Sequence, residues 1–400
     1  MRKPLMRIPY TEILAPPTVV PSSATTLSGA VAALQQFFEA PLPSHLDSKT
    51  TVLTGAGLSV DSGLADYRGV KGTYRVNKTY RPIYHHEFVS SHEARKRYWA
   101  RSFFGWTSLQ KALPNNGHYA VRDLASLGLL NTVITQNVDS FHPKSHPEVP
   151  TVELHGYLRS TVCTTCKTEF SREDFQAQLA RLNPQWAESL QEALASGALD
   201  TEDPTERRFR GLRTNPDGDV DVPNAPYTTF RYPACSDCLS NPPLDVHGQR
   251  HKVEVDLDGA WASENTAGVL KPAVVMFGES IAPSVKTSAE DAIDKAGRLL
   301  ILGTSLATYS AWRLAKRAKE RGMPLAIVNI GGVRGEDQLV TDQITTMHDG
   351  SIVRVELPIS ELLPALVSKL RAEPPNPGNG SSILDSPEDK SSSMFKDMMS

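Results

Sequence analysis

The sequence predicts an α/β protein, a doubly wound parallel (Rossmann-like) sheet with an inserted smaller zinc-binding module. Three observations carry this. Short apolar runs of strand length alternate with amphipathic helical stretches, the pattern of successive βαβ units. A glycine-bearing loop follows the first such run, in "TVLTGAGLSVDSGLADYRG" (51–69). The chain's four cysteines fall in two C-x-x-C pairs, "CTTC" (Cys163, Cys166) and "CSDC" (Cys235, Cys238), within an otherwise irregular middle.

Residues 1–28 read as a tail. Arg2, Lys3 and Arg7 face Glu12 as the only acid before Glu39, and Ser and Thr are frequent over 18–28. That composition fits a mitochondrial transit peptide. Prolines at 4, 9, 16, 17 and 21 work against an amphipathic helix and fit a mildly basic disordered tail as well. The first helix follows in "SGAVAALQQFFEAP" (28–41), with Val31, Leu34, Phe37 and Phe38 on one face. Buried parallel strands are expected in "TVLTG" (51–55), "NTVITQN" (131–137), "RLLILGTS" (298–305), "PLAIVNIG" (324–331) and "SIVRVEL" (351–357). Helices lie between them in "HYAVRDLASLG" (118–128) and in "AWRLAKRAKERG" (311–322), the latter closed by Gly322. The Rossmann-like domain is therefore expected over 29–156 and 271–372. The intervening 157–270 form the zinc-binding module, with long insertions at 167–234 and 242–268, and 373–400 read as a disordered tail.

Composition narrows the function classes. Four hundred residues, 40% apolar, suffice for a substantial core. A net charge of −3 and pI near 6.4 give no drive toward nucleic acid or an anionic membrane. No run of 18 apolar residues is present to span a bilayer.

The paired cysteines suit one tetrahedral zinc ion, because each short turn presents two thiolates. Two redox dithiols or two structural disulfides are the alternatives, although disulfide scaffolds usually carry denser cysteine. The pairs are separated by 167–234, far longer than the about 15–20 residues of a compact ribbon, so that segment must loop out.

The opening loop poses a separate question. Its glycines are Gly55, Gly57 and Gly63, whereas G-x-G-x-x-G would place the third at residue 60, which is Val60. The fingerprint of hydride-transferring dinucleotide folds is not met. Four polar motifs nevertheless fall at the carboxyl ends of expected strands, where open α/β sheets bind ligands. They are the opening loop through Asp66, Tyr67 and Arg68; "TQNVDSFH" (135–142); "ELHG" with His155; and "GTS" (303–305) with "NIG" (329–331). Each is weak alone, a lone histidine being more often structural than catalytic. Their joint order, with a C-x-x-C pair directly after "HG", is specific.

This ordered set resembles the sirtuins, the NAD-dependent protein deacylases. The resemblance covers most of 50–332 and includes "KPAVVMFGE" (271–279). "RPIYHHEF" (81–88), "RYWARSFFGW" (97–106), "PNNGHYA" (114–120) and "ATYSAWR" (307–313) look like the class II, sirtuin-4-type branch, whose members are often mitochondrial. The mitochondrial matrix is therefore the expected location, with nucleus or cytoplasm as alternative.

The resemblance implies that the loop folds over NAD and forces the nicotinamide into a pocket where its bond to ribose breaks. By that analogy Gly55, Ala56, Gly57 and Ser59 lie along the pyrophosphate, with Asp66, Tyr67 and Arg68 beside the phosphates and nicotinamide ribose. Gln136 and Asn137 would meet that ribose, Val138 and Asp139 the carboxamide. Gly303, Thr304, Ser305, Asn329, Ile330 and Gly331 would take the adenosine side. The amide oxygen of an acylated lysine attacks the ribose, so holding it in line and excluding water matter most. His155, assisted by Asn137, would be the base that activates a ribose hydroxyl. Val274, Val275, Met276, Phe277, Gly278 and Glu279 would pair with the substrate peptide as an added strand. Zinc would be structural, since four thiolates leave no open position.

Two departures from the family pattern stand out. "GLADYR" replaces the usual "GIPDFR", putting Ala65 and Tyr67 in place of Pro and Phe, and "PKSHPEVPTVELHG" lacks a glycine near Ser145. The expected function is lysine deacylation giving nicotinamide and O-acyl-ADP-ribose, with protein mono-ADP-ribosylation as the alternative. An oxidoreductase is disfavoured by the glycine spacing, and a non-catalytic NAD sensor by the presence of His155 and Asn137.

Overall fold

The computed structural model describes residues 14–69, 71–77, 80–201, 203–215, 219–341 and 350–373. The expected transit segment up to residue 13 and the expected tail from 374 lie outside the described residues.

Strands β1 (Thr50–Thr54), β2 (Leu130–Thr135) and β3 (Thr151–Glu153) extend the main sheet in one direction. Strands β9 (Arg298–Leu302), β10 (Leu325–Val328) and β11 (Ile352–Val355) extend it in the other. The order is β11-β10-β9-β1-β2-β3, with every pairing parallel. The winding reverses between β1 and β9. There the connections leave in opposite directions and a crevice opens beyond the strands' carboxyl ends.

Both faces are covered, which is why these strands read as continuous apolar runs. Val52, Val133, Leu300 and Val353 point to one face, against helices Leu27–Glu39, Asn116–Ser126 and Ile359–Ala372. Leu53, Ile134, Ile301 and Ile327 point to the other, against Pro283–Asp294 and Tyr309–Glu320. Gly322 follows the last of these helices at φ +70°, as a C-terminal glycine should.

The smaller unit is a three-stranded sheet, β5 (Glu169–Ser171), β4 (Gly156–Cys163) and β8 (Leu270–Val274), with β8 at one edge. Its core differs from the expected boundary. The helix His92–Lys111, assigned above to the Rossmann-like domain, turns Trp99, Phe103 and Phe104 into the module's own core. Trp99 lies 4.4 Å from Phe175, and Trp186 packs at 6.0 Å on Phe104 and 5.3 Å on Phe230. The helices Arg172–Leu182 and Pro184–Ala195, which the 167–234 insertion supplies, cover much of this aromatic face, and Phe230 adds to it at 5.9 Å from Phe103.

The 242–268 insertion is a clasp. Trp261 stacks on Tyr232 at 5.9 Å, while the guanidinium of Arg95 lies 4.6 Å from its ring centroid. A hairpin within the first insertion joins β6 (Arg213–Thr214) to β7 (Val220–Asp221).

The segment 14–28 also departs from the expected tail. Val20 pairs with Arg354 beside β11 through two backbone hydrogen bonds, of 3.0 and 2.7 Å. Ala24 is fully buried under the first helix. The edge of β11 would otherwise be open, and this stretch closes it.

Candidate active site

The glycine spacing of the opening loop is explained by its partner. Beyond β1 and β9 two turns meet backbone to backbone: the Gly57 N–H donates to Gly303 O at 2.8 Å, and the Gly55 N–H to Leu302 O at 3.0 Å. A Cβ on Gly57 would stand 2.8 Å from Gly303 O. One on Gly303, itself at φ +59°, would stand 2.4 Å from Leu58 N. Glycine is required at both by this close approach.

A cavity of about 1100 Å³ opens over these turns. Gly55, Ala56, Gly57, Asp66, Tyr67 and Arg68 line it, as do Gln136, Asn137, Val138 and His155. The turns after β9 and β10 contribute Gly303, Thr304, Ser305, Asn329, Ile330 and Gly331, and all of 274–279 lie on the opposite wall. Leu14 and Pro16 close the end near Gly332, where an added Cβ would be 2.2 Å from Ala15 O.

Two of the expected ligand-contacting residues sit behind the wall instead. The Ser59 hydroxyl donates to Asp139 Oδ2 at 2.7 Å and accepts from Asn137 Nδ2 at 3.1 Å. Asp139 Oδ1 also accepts the Phe141 N–H. Burial holds the Asp139 carboxyl above its ordinary range, opposed by these two donors. Ser59 and Asp139 thus brace Asn137, whose amide also donates to Gly55 O at 3.1 Å. Asp66 serves its own loop: its Oδ1 accepts the Gly69 N–H at 2.9 Å, and burial raises its pKa. The Arg68 guanidinium lies 5.1 Å from the Tyr74 ring centroid, so Tyr67, with Tyr74 at 5.6 Å, belongs to an aromatic and cationic wall.

At the centre is His155. Its Nδ1 lies 3.2 Å from Gln136 O, an atom that can only accept, so Nδ1 carries the proton and Nε2 the lone pair. Nε2 meets the Ser310 hydroxyl at 2.9 Å. Burial pushes His155 down to about 4, although the Gln136 carbonyl works the other way. The imidazole is therefore neutral across the physiological range and offers Nε2 as a proton acceptor. From Ser310 a chain of polar groups continues through Thr308 at 3.3 Å and Gln136 Oε1 at 3.0 Å, and on from Gln136 Nε2 to Thr304 at 2.8 Å. Ser310 and Thr308 lie in "ATYSAWR", a stretch that marked the family branch and carried no role above.

Ser310→Ala should therefore lower kcat about 2–10-fold, the net value of one hydrogen bond, with KM for dinucleotide little changed. A donor to the neutral form of a base lowers its pKa, so the acidic limb of the pH–rate profile should also move up. A residue that only supports packing would leave that limb in place.

The wall at 274–279 is fixed from behind. Lys271 Nζ donates to the carbonyls of Pro272 and Val274 at 3.0 and 2.8 Å and lies 3.3 Å from Glu279. Val275 N donates to His155 O at 2.8 Å, so the wall and the imidazole share one backbone link.

The four cysteine Sγ atoms converge within 4.8 Å of one another, with Cys163–Cys238 and Cys166–Cys235 each at 3.6 Å. These separations exclude disulfides, whose sulfurs are about 2.05 Å apart. They match the edges of a thiolate tetrahedron around zinc, about 3.8 Å for Zn–S bonds near 2.3 Å. The chain thus positions four sulfurs for one zinc ion and spans 167–234 to do so, as the sequence requires.

A family model described as "Sir2 family" matches residues 55–310. An NAD-dependent protein deacylase of Batrachochytrium dendrobatidis is 36% identical over 330 residues, 81% of this chain and 90% of that protein. The human protein named NAD-dependent protein lipoamidase sirtuin-4, mitochondrial, is 32% identical over 318 residues, 80% of this chain and 83% of that protein. Among solved structures, a Sir2 complex with deacetylated p53 peptide and 3′-O-acetyl ADP ribose superposes with a TM-score of 0.52 at 22% identity, covering 84% of this chain and 96% of that one. That likeness concerns the fold.

Proposed function

Since the chain belongs to the Sir2 family, in its sirtuin-4-like branch, we propose that it is an NAD-dependent protein deacylase releasing nicotinamide and O-acyl-ADP-ribose from acyl-lysine substrates. The observation that carries this reading is the place of His155: its basic Nε2 opens on one cavity shared by the β1/β9 turns and the 274–279 wall. A dinucleotide on the turns and an acyl-lysine along the wall would meet at that imidazole.

In this reading the Gly55–Gly57 and Gly303–Ser305 turns, with Tyr67 and Arg68, hold the dinucleotide, and the Asn329–Gly331 turn takes its adenosine end. Arg354 supports that last turn by donating to Asn329 O and Gly331 O at 2.8 and 2.7 Å. Gln136 and Asn137 orient the nicotinamide ribose. His155 takes the proton of a ribose hydroxyl, and Ser310 positions the imidazole for it. Ser59 and Asp139 act through Asn137. The zinc ion supplies structure alone, tying β4 to the chain that leads into β8.

The experiment is an assay with NAD and an acyl-lysine peptide. Nicotinamide, free lysine peptide and O-acyl-ADP-ribose should form in equal amounts. ADP-ribose fixed on protein with the peptide still acylated would instead assign mono-ADP-ribosyl transfer. The mitochondrial names of the human and bovine relatives, with Arg2, Lys3 and Arg7, further support a mitochondrial address. Failure of isolated mitochondria to import the full chain would remove it.

A further inference from the structure

The far wall of the cavity, away from the β1/β9 turns, is built by the helix His92–Lys111 and by the insertion. Tyr98, Arg101 and Ser102 come from the helix, Ile83 from the preceding loop, Met276 from the substrate wall, and Asp219 from the β6/β7 hairpin. Arg101 is 7% exposed and grips Asp219 at two points, Nη2 to Oδ2 at 2.6 Å and Nε to Oδ1 at 3.3 Å. Burial, the largest single influence, lowers the pKa of Arg101, but Asp219, with Tyr80, Asp221 and Tyr227 behind it, together outweigh burial and keep the guanidinium charged. The hairpin is held in place independently, by Asn77 Nδ2 to Asn215 Oδ1 at 3.4 Å and by the Tyr227 hydroxyl donating to Asp221 at 3.0 Å.

A guanidinium in the wall of a substrate cavity is the group expected to recognise a carboxylate. Here the chain fills that fork with an acid of its own. A second carboxylate would add an unbalanced negative charge beside Asp219 at a largely buried ion pair, where like charges repel more strongly than in bulk water. An uncharged chain meets a guanidinium already compensated by Asp219, and the apolar surfaces of Ile83, Tyr98 and Met276.

We propose that Asp219 is a specificity-determining residue: by occupying Arg101 it makes this site select uncharged acyl groups and reject acyl groups that end in a carboxylate. The inference rests on the deacylase reading. It gives the 167–234 insertion a function at the site, whereas none of the described residues of 242–268 lines the cavity.

The test uses the full-length zinc-loaded protein with NAD and one peptide carrying either pentanoyl-lysine or glutaryl-lysine, which share a five-carbon backbone and differ in the terminal charge. Wild-type kcat/KM should favour pentanoyl by about 100-fold or more, the size of a like-charge clash of a few kcal/mol. In Asp219→Asn, which keeps shape and removes charge, the ratio should fall by about 10-fold or more. Adding Arg101→Met should restore the preference for pentanoyl, since the receiving cation is gone. Equal use of both peptides by the wild type overturns the inference without any variant, and so does an unchanged ratio in Asp219→Asn. If neither peptide is turned over and NAD is not consumed, the deacylase reading falls and this inference with it.

Discussion

Replacement of His155 by alanine should reduce kcat by roughly 10²–10⁴-fold, the usual contribution of a positioned general base. Dinucleotide binding should persist, because Gly55, Gly57, Gly303 and Thr304 form their turns without the imidazole. The split matters more than the loss. A structural histidine would take the fold with it once the Nδ1 tie to Gln136 O was lost, whereas the His155 carbonyl accepts the Val275 N–H through the backbone. The backbone link survives any side-chain change, so a folded, NAD-binding, inactive variant is the expected product. Calorimetric titration with NAD alongside steady-state rates checks both halves. Retained activity in His155→Ala would remove the base from the account.

The second large effect concerns the metal. Loss of zinc by strong chelation, or by Cys235→Ser, should destabilise the small module by several kcal/mol. Structural zinc contributes about 10–16 kcal/mol in zinc-finger peptides that have no other core. Here Trp99, Phe103, Phe175 and Phe230 supply a core of their own, which limits the loss. The damage should reach the site along one strand pair. Cys163 ends β4, β4 pairs with β8, and β8 runs directly into the 274–279 wall. KM for acyl peptide should therefore rise before NAD affinity falls. Metal analysis should give one zinc per chain, and none in the depleted protein. A depleted chain with unchanged stability and peptide KM would deny the site its structural role.

Most of the sheet was legible because its strands are buried on both faces. A run such as Arg298–Leu302, with all five residues buried, has no reading other than a core strand or a short buried helix, and its flanking glycine decides. The cysteine pairs were legible for a chemical reason, since two C-x-x-C turns leave few uses for four thiols. Other features depended on partners distant in the chain. Nothing local in Gly57 tells that it must pass Gly303, which lies in a different βα connection. Ser310 meets His155 across 155 positions of sequence, and a lone serine in the first turn of a helix carries no signal of its own. The helix His92–Lys111 displays Trp99, Phe103 and Phe104 plainly, yet amphipathicity does not say which unit's core receives them. Ser59 and Asp139 are polar residues in motifs that lie at the cavity, and only three-dimensional geometry separates those that face it from those that brace its wall.

In the proposed reaction this cavity breaks the bond between ribose and nicotinamide by bringing the amide oxygen of an acyl-lysine to the ribose carbon. The most direct measurement uses an acyl-lysine peptide carrying heavy oxygen in its amide carbonyl, with NAD and the zinc-loaded protein. Mass spectrometry of the products should find the label in O-acyl-ADP-ribose, with one nicotinamide released per label transferred and no reduced dinucleotide formed. Label recovered in a free carboxylic acid, with NAD intact, would mean that water attacks the amide directly and would contradict the account.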